Sequence, residues 1–264
     1  MNKEKALTYW KPFSTAEYKR LNNQINVLND LTIVYPFYVN VKECADDILN
    51  SVKYYEHMPH SLLEKLHLVV IDDCSPVQID FNNINLNLML LRIDKDIRWN
   101  SGGAKNLGVF CSETSRILLA DIDMLFPEKT LVSCMREENI SDDEVFVFDR
   151  LSLDDNNEWY EDGVHPNCFF MTKKSYIELH GYNENFCGYY GDDLYFNQLL
   201  HIRRKVYNCG EKMLNNNVGV ANNQRRHVDS EVWEMLEKNG ITPSLESLRF
   251  PWHFVNNYKY RDKI

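Results

Sequence analysis

Short apolar segments alternate with helical segments over the first half of the chain, and this alternation limits the possible folds more than any other feature. Four segments are rich in β-branched and aromatic residues, which is typical of buried strands: LTIVYPFY (31–38), LHLVVIDDCSP (66–76), INLNLMLLRI (84–93) and RILLADIDMLF (116–126). A one-sided helical stripe follows the first, and a Gly-rich turn that enters a helix, with Ser101 as its predicted N-cap, precedes the fourth. Strands that alternate with helices predict an α/β domain with a mostly parallel central sheet flanked by helices.

The second half is less regular. EVFVFDR (144–150) predicts a fifth strand, and DDLYFNQLLHIRRK (192–205) predicts a helix that opens on two acids. We expect residues 1–30 to form a helical lead-in, a segment that precedes the domain. We expect residues 228–264 to form a helical tail with an aromatic end, packed on the domain. The chain has no internal repeat and no low-complexity linker, so we expect one domain between these ends.

Several of the predicted strands end in acidic or aromatic residues. The first ends in Pro36, Phe37 and Tyr38, the second in Asp72 and Asp73. The fourth contains a pair of acids, Asp121 and Asp123. Ligands of open parallel sheets bind at the carboxyl ends of the strands, so we expect these side chains to share one site.

Asp121 and Asp123 interrupt an apolar segment. In an extended strand they share one face, while Ile122 points into the core. Two neighbouring carboxylates repel each other unless a cation lies between them, and a divalent ion that also binds phosphate oxygens is a common use of such a pair. The alternative is that these acids only cap a turn before Phe126 and Pro127.

Basic residues that could bind a diphosphate lie in two places. Arg98, Lys105 and the pair Arg225–Arg226 are candidates, although each could equally be a solvated surface charge. NSGGAKNLG, which contains Gly103, resembles a phosphate loop at a helix N-terminus. It lacks the spacing of the known phosphate loops, so a tight packing turn is the alternative.

Asp192, Asp193 and His227 each have a structural and a functional interpretation. The two acids open a predicted helix, where they would act as caps, or one of them would be a general base that takes a proton from an attacking hydroxyl. His227 is a surface histidine or a metal ligand.

Charge and cysteine content exclude several classes of protein. The net charge of −10 argues against nucleic acid and anionic membranes as partners. The seven cysteines form no C-x-x-C pair, which indicates reduced thiols rather than a disulfide scaffold or a zinc ribbon. We find no signal sequence and no apolar segment of the roughly 18 residues that a membrane span needs. We therefore expect a cytoplasmic protein without an integral membrane segment, such as a bacterial protein or a viral protein that acts in a host cytoplasm.

The order of these motifs resembles a known family. LTIVYPFY, VVIDDCSP, NSGGAKNLG and LLADIDMLF together resemble a glycosyltransferase of the GT-A fold, family-2 type. HPNCFFMTKKSYIELHGYNENFCGYYGDDLYF is similar to the C-terminal region shared by β-1,4-galactosyltransferases and polypeptide N-acetylgalactosaminyltransferases. The resemblance covers residues 31–227. It implies a catalytic domain with a nucleotide-sugar-binding half (31–126) and an acceptor half (127–227).

The resemblance implies a role for each matching residue on the donor side. Pro36, Tyr38 and either Asp72 or Asp73 would contact the nucleoside. Asp121 and Asp123 would hold Mn²⁺ or Mg²⁺ and the diphosphate of the donor.

On the acceptor side, Asp193 would match the catalytic base of the family's Glu-Asp pair. Asp192 would match the Glu that binds acceptor or sugar hydroxyls, with a shorter side chain. GYYG replaces the family's GWG, so the aromatic residue that stacks on a sugar would be Tyr189 or Tyr190. His227 would match a metal ligand that some members have.

The implied reaction transfers a sugar from a nucleoside-diphosphate sugar, with a UDP-sugar favoured, to a hydroxyl group of a glycan or glycoconjugate acceptor. The transfer would depend on a metal and invert the anomeric configuration. The alternatives are a sugar nucleotidyltransferase, which releases pyrophosphate, and a sugar-binding protein that keeps the fold without catalysis.

Overall fold

The structure is a computed structural model, and it describes residues 30–136, 140–154, 156, 158–186, 191–216 and 248–261. The strands in these ranges are β1 Leu31–Phe37, β2 Leu66–Asp72, β3 Asn87–Ile93, β4 Arg116–Leu119, β5 Met124–Leu125, β6 Glu144–Leu153, β7 Trp159–Val164, β8 Phe169–Thr172, β9 Lys205–Asn215 and β10 Trp252–Tyr258. They form one sheet in the order β10-β3-β2-β1-β4-β8-β6-β9-β5, and β7 pairs with β6.

Helices cover the sheet. They are α1 Glu43–Lys53, α2 His60–Leu63, α3 Ser101–Cys111, α4 Glu128–Arg136, α5 Lys173–Glu178 and α6 Asp192–Arg203, with 3₁₀ helices at Tyr54–His57 and Glu184–Phe186. No helix within the described residues is both long and apolar enough to cross a membrane.

Four neighbouring strands, β3-β2-β1-β4, run parallel and form the centre of the sheet. Strand β1 is buried along its whole length, and its alternate side chains enter two different hydrophobic clusters: Tyr35 belongs to one cluster and Val34 to the other. A strand with helices on both faces needs apolar residues at every position, which is why LTIVYPF is continuously apolar. The predicted α/β fold with a parallel central sheet is confirmed. Antiparallel strands flank this centre on both sides.

The predicted fourth strand is wrong in one respect. The chain leaves the sheet after Leu119, and the N–H of Met124 donates to the carbonyl of Asp121 at 2.9 Å, so residues 121–124 form a turn. Met124 then begins β5, which pairs with β9. Asp121 and Asp123 therefore lie in a turn and not on one face of a strand. Because the backbone leaves the apolar interior of the sheet at that point, the free-energy cost of burying the two carboxylates is smaller than it would be within a strand.

The tail contributes to the sheet. Strand β10 pairs antiparallel with β3, which it borders on one edge. The N–H of Asp94 also donates to the carbonyl of Pro251 at 2.9 Å. The helix predicted for the tail lies mostly outside the described residues, as does the lead-in at 1–30 except for Asp30.

Candidate active site

A cavity of about 390 Å³ opens where the chain leaves β1, β2 and β4. Residues that follow these strands line it, together with the starts of α3 and α6 and the segment after β7. The candidates from the sequence that line this cavity are Pro36, Tyr38, Asp73, Asp121, Asp123, Asp192 and Asp193. The expectation that the strand ends share one site therefore agrees with the geometry.

The structure distinguishes Asp73 from Asp72. Asp73 lines the cavity and accepts a hydrogen bond from Nδ2 of Asn100 at 3.1 Å. Asp72 instead forms an ion pair with Arg92 and accepts the N–H of Ser75 at 2.8 Å, which fixes the turn after β2. Asp73 is the member of this pair that is placed to contact a ligand.

Asp121 lies at the centre of a hydrogen-bond network. Nζ of Lys105 donates to its Oδ1 at 2.8 Å, and Nδ2 of Asn167 reaches Oδ1 and Oδ2 at 2.9 and 3.1 Å. The hydroxyl of Tyr182 donates to Oδ1 of Asn167, which fixes the orientation of the amide. Burial acts to raise the pKa of Asp121. The charges of Lys105 and His165, together with the hydrogen bonds from Lys105 and Asn167, outweigh burial and hold the pKa below its usual value. Asp121 is therefore an anchored carboxylate.

Asp123 has the opposite environment. Burial and the charge of Asp121 raise its pKa to about 7. No lysine, arginine or histidine of the described residues forms an ion pair with it, so a carboxylate at the cavity wall lacks a counter-ion. A divalent cation would supply that charge, and carboxylate oxygens are the ligands that Mg²⁺ and Mn²⁺ prefer. The residues present therefore fit a metal ion.

The protein offers few ligands of its own to such an ion. Within the described ranges, no three or more His, Cys, Asp or Glu side chains are arranged to hold a metal. An ion at Asp123 would need oxygens of a bound substrate to complete its coordination.

His165 stands next to Asp121. Its Nε2 lies 3.8 Å from Oδ2 of Asp121, and its Nδ1 accepts the N–H of Asn167 at 3.2 Å. Because Nδ1 acts as an acceptor, the ring proton is assigned to Nε2. Burial lowers the pKa of His165, which favours a neutral ring.

The Gly-rich segment NSGGAKNLG packs tightly against its neighbours, which is the alternative to a phosphate loop. The N-cap of α3 is Asn100, one residue before the predicted Ser101. A Cβ added to Gly103 would lie 2.3 Å from Oδ1 of Asn100 and 2.7 Å from the Phe250 ring, so only a glycine fits between them. Gly103 and Lys105 are buried in α3, and Arg98 is exposed. None of these three residues lines the cavity.

Asp192 and Asp193 both line the cavity, but in different ways. Asp192 is the first residue of α6, and its N-cap is Gly191, so Asp192 does not cap its own helix as one alternative held. Its Oδ2 accepts the N–H of Gly102 at 2.9 Å, and its Oδ1 lies 3.3 Å from Nε1 of Trp99. Burial and the charge of Asp193 raise the pKa of Asp192 to about 6. Asp193 is less buried.

Trp99, Arg150, His165 and Asn167 are among the cavity residues that sequence reasoning missed. Trp99 has a positive φ of 51°, which is rare for a bulky residue and is often found at functional sites. The backbone angle of Trp99 cannot be predicted from the neighbouring residues, and neither can the proximity of β6, which carries Arg150, to Asp121. For His165 and Asn167 a signal existed: both follow the exposed strand β7 and immediately precede the buried strand β8.

Other candidates lie outside the described residues. They are His227, Arg225, Arg226, Tyr189 and Tyr190. Their roles remain predictions.

No family model matches the chain, and no curated protein matches it in sequence. Solved structures do match. The S. aureus TarS fragment 1–349 is 17% identical, with a TM-score of 0.50 over 70% of this chain and 60% of that one. The same fragment in complex with UDP-GlcNAc is 15% identical, with a TM-score of 0.50 over 70% of this chain and 58% of that one. A mannosyltransferase from Pyrobaculum calidifontis in complex with GDP-Man and Mn²⁺ is 15% identical, with a TM-score of 0.49 over 79% of this chain and 64% of that one.

The likeness to TarS concerns the fold. It agrees with the GT-A type of α/β fold that the sequence predicts. The chain spans about 60% of the length of the TarS fragment, so a large part of that fragment has no counterpart here.

Proposed function

We propose that this protein is a metal-dependent, inverting glycosyltransferase that moves a sugar from a nucleoside-diphosphate sugar to a hydroxyl group of a glycan or glycoconjugate. One observation carries the proposal. A single cavity brings together Tyr38 and Asp73, the acids Asp121 and Asp123, and the pair Asp192–Asp193. A nucleoside, a metal-bound diphosphate and an attacking hydroxyl need these three kinds of group side by side.

The donor would be a UDP-sugar. TarS, whose fold this chain shares, has been solved with UDP-GlcNAc and with UDP. GDP and dTDP are the competing nucleotides.

Asp123 would be the metal ligand of the acidic pair. Asp121 is already neutralised by Lys105 and held by Asn167, whereas no described residue forms an ion pair with Asp123. A bound Mn²⁺ or Mg²⁺ would neutralise the charge that develops on the leaving nucleoside diphosphate. Asp121 would keep the turn in place and present its remaining acceptor capacity to the donor.

Asp193 would accept the proton of the attacking hydroxyl. It lines the cavity, and its Oδ1 accepts the N–H of the next residue, Leu194, at 2.8 Å. Asp192 is held by Gly102 and Trp99 and would position a sugar hydroxyl. Direct attack by the acceptor oxygen on the anomeric carbon displaces the diphosphate from the opposite face. The configuration of the sugar is then inverted.

Thermal unfolding with UDP, GDP and dTDP, each with Mn²⁺, Mg²⁺ or a chelator, tests the donor site. A ligand at about 100 times its Kd stabilises the fold by about 2.7 kcal/mol, which is a shift of several degrees. We expect one diphosphate to stabilise the protein only with metal, and the double variant Asp121→Ala, Asp123→Ala to lose that effect. The double variant Asp46→Ala, Asp47→Ala is the control because it removes two exposed acids from α1.

The outcomes separate the competing functions. A protein that no diphosphate stabilises with any metal would contradict the donor site. Release of pyrophosphate from a nucleoside triphosphate and a sugar phosphate would identify a nucleotidyltransferase. Retained anomeric configuration in the product, measured by NMR, would contradict the role of Asp193.

A further inference from the structure

The cavity carries an excess of negative charge. Five carboxylates line it: Asp73, Asp121, Asp123, Asp192 and Asp193. Within the described residues, Arg150 is the one lysine or arginine in its wall. A diphosphate that enters this cavity meets strong repulsion, and one divalent ion offsets only part of it. A second cation at the wall would therefore matter for binding.

Arg150 lies on β6 and is held by the neighbouring strand β7. Its Nη2 contacts the backbone carbonyl of Asp162 at 3.0 Å and Oδ2 of Asp162 at 2.8 Å. The hydroxyl of Ser152 donates to the same Oδ2 at 3.0 Å. Two contacts to one nitrogen fix the plane of the guanidinium group, so its other donors have a defined direction.

Those other donors have no hydrogen-bond partner in the part of the chain that the structure describes. Nε of Arg150 is shielded from solvent and has no hydrogen-bond partner among the described residues. Nη1 also forms no bond to a described residue. A guanidinium donor without a partner costs free energy, and Nη1 is the donor left for a ligand, because Nε is shielded from solvent and Nη2 is bound to Asp162. A guanidinium fork matches phosphate oxygens in shape and charge.

We infer that Arg150 binds the diphosphate of the donor. The inference rests on the function proposed above, and it assigns the anionic group of the substrate to a residue that neither the motifs nor the likeness to TarS identified. Arg150 takes the role that the sequence gave to Arg98 and Lys105, which lie outside the cavity wall.

A purely structural role is the competing explanation, because Arg150 also joins β6 to β7 through Asp162. The two explanations differ in what they predict for ligands. Loss of a structural ion pair would weaken the binding of every ligand of the cavity alike. Loss of a phosphate contact would weaken the binding of a nucleoside diphosphate and leave the binding of the nucleoside unchanged.

Titration calorimetry with UDP and with uridine, both in the presence of Mn²⁺, separates these explanations. We expect Arg150→Gln to weaken the affinity for UDP about ten- to a hundredfold, which is the usual effect of losing a charge-assisted contact. The affinity for uridine should change less than about twofold. Arg150→Lys keeps the charge but loses the planar guanidinium group, so we expect it to weaken the affinity for UDP about threefold to tenfold. This second variant serves if Arg150→Gln does not fold.

Lys212→Gln is the matched control. Lys212 forms ion pairs with Asp149 and Glu161, so it joins the same two strands, but it lies outside the cavity wall. We expect it to leave the affinities for UDP and uridine unchanged.

Each other outcome has one meaning. Equal UDP affinity in wild type and in both Arg150 variants overturns the inference while the donor site stands. A parallel loss of UDP and uridine binding also overturns it and favours the structural role. If the wild-type protein binds neither UDP, GDP nor dTDP with metal, the proposed function fails and the inference fails with it.

Discussion

Nζ of Lys105 lies 2.8 Å from Oδ1 of Asp121, and the lysine side chain is completely buried beneath that carboxylate. The same ammonium group donates to the backbone carbonyl of Asn167 at 3.2 Å and lies 5.5 Å from the centre of the Tyr182 ring. One of the two acids in the turn after β4 thus has a permanent counter-ion inside the protein. The other acid, Asp123, is left without one, and this asymmetry divides the roles of the pair.

Replacement of Lys105 by Met should destabilise the protein. The variant leaves the carboxylate of Asp121 without its buried partner, and such a loss costs about 3–5 kcal/mol for a fully buried pair. The side chain of Asp121 is 31% exposed, so we expect about 2–3 kcal/mol in urea unfolding after the discount for solvent screening. Lys129→Met is the control because Lys129 is 83% exposed and pairs with Glu211, and it should cost less than about 1 kcal/mol. Equal effects in the two variants would contradict a structural role for Lys105.

Replacement of Asp193 by Asn should remove catalysis and keep donor binding. A general base contributes about 10²–10⁴-fold to a rate, so we expect a loss of that size in transfer, with UDP affinity changed less than about twofold. Asp192→Asn should have a different effect, because Asp192 accepts the N–H of Gly102 and the indole N–H of Trp99. We expect it to raise KM for the acceptor more than it lowers kcat. Transfer at the wild-type rate by Asp193→Asn would show that the base lies elsewhere.

The sequence predicted the fold because each buried strand is one short, continuously apolar segment that can be recognised without knowing its neighbours. β1, β2 and β3 were identified within one or a few residues, since a parallel strand covered on both faces must be apolar throughout. The fourth strand was predicted too long. Apolar residues on both sides of Asp121 and Asp123 look like one strand, but they belong to β4 and β5, which pair with different neighbours.

The sequence predicted the acidic residues of the candidate site but not the basic and amide side chains around them. Asp73, Asp121, Asp123, Asp192 and Asp193 all line the cavity. Gly103 and Lys105 were candidates for a phosphate site because they lie in the segment NSGGAKNLG, and α3 turns both of them into the protein. Arg150 and Asn167 reach the cavity through the pairing of β6 with β8 and of β8 with β4, and such long-range pairing has no local sequence signal.

Stability should depend on pH through Glu184. This side chain is buried and accepts the N–H groups of Leu248 and Arg249 at 2.6 and 3.0 Å and Nδ2 of Asn106 at 2.9 Å. Burial outweighs these bonds and raises the pKa of Glu184 above 4.5. The folded state then holds this proton more tightly than the unfolded state does, so the contribution of Glu184 falls as pH rises above 4.5.

Urea unfolding between pH 4 and pH 8 checks this. The free energy of unfolding of wild type minus that of Glu184→Gln should decrease as pH rises above about 4.5 and then level off. Gln keeps one acceptor oxygen and cannot ionise, so other titrating groups cancel in the difference. A difference that stays constant over the whole range would show that the folded protein does not shift the pKa of Glu184.

Replacement of Gly102 by Ala should damage catalysis through Asp192. A Cβ at this position would lie 2.9 Å from Oδ2 of Asp192 and 2.9 Å from Cβ of Tyr182, closer than real contacts allow. Tyr182 is buried in the core, so the carboxylate is the group that must move, and misplacement by about 1 Å costs about 10²-fold in rate. We expect kcat/KM for the acceptor to fall by about ten- to a hundredfold, chiefly through KM as in Asp192→Asn, while UDP affinity stays within about threefold. Gly108→Ala is the control: its Cβ would collide with Val34 and Ile71 in the core, so it should lower the melting temperature without lowering the kcat/KM of the folded enzyme. If Gly102→Ala lowers only the melting temperature, as Gly108→Ala does, the contact between Gly102 and Asp192 has no role in positioning the acid.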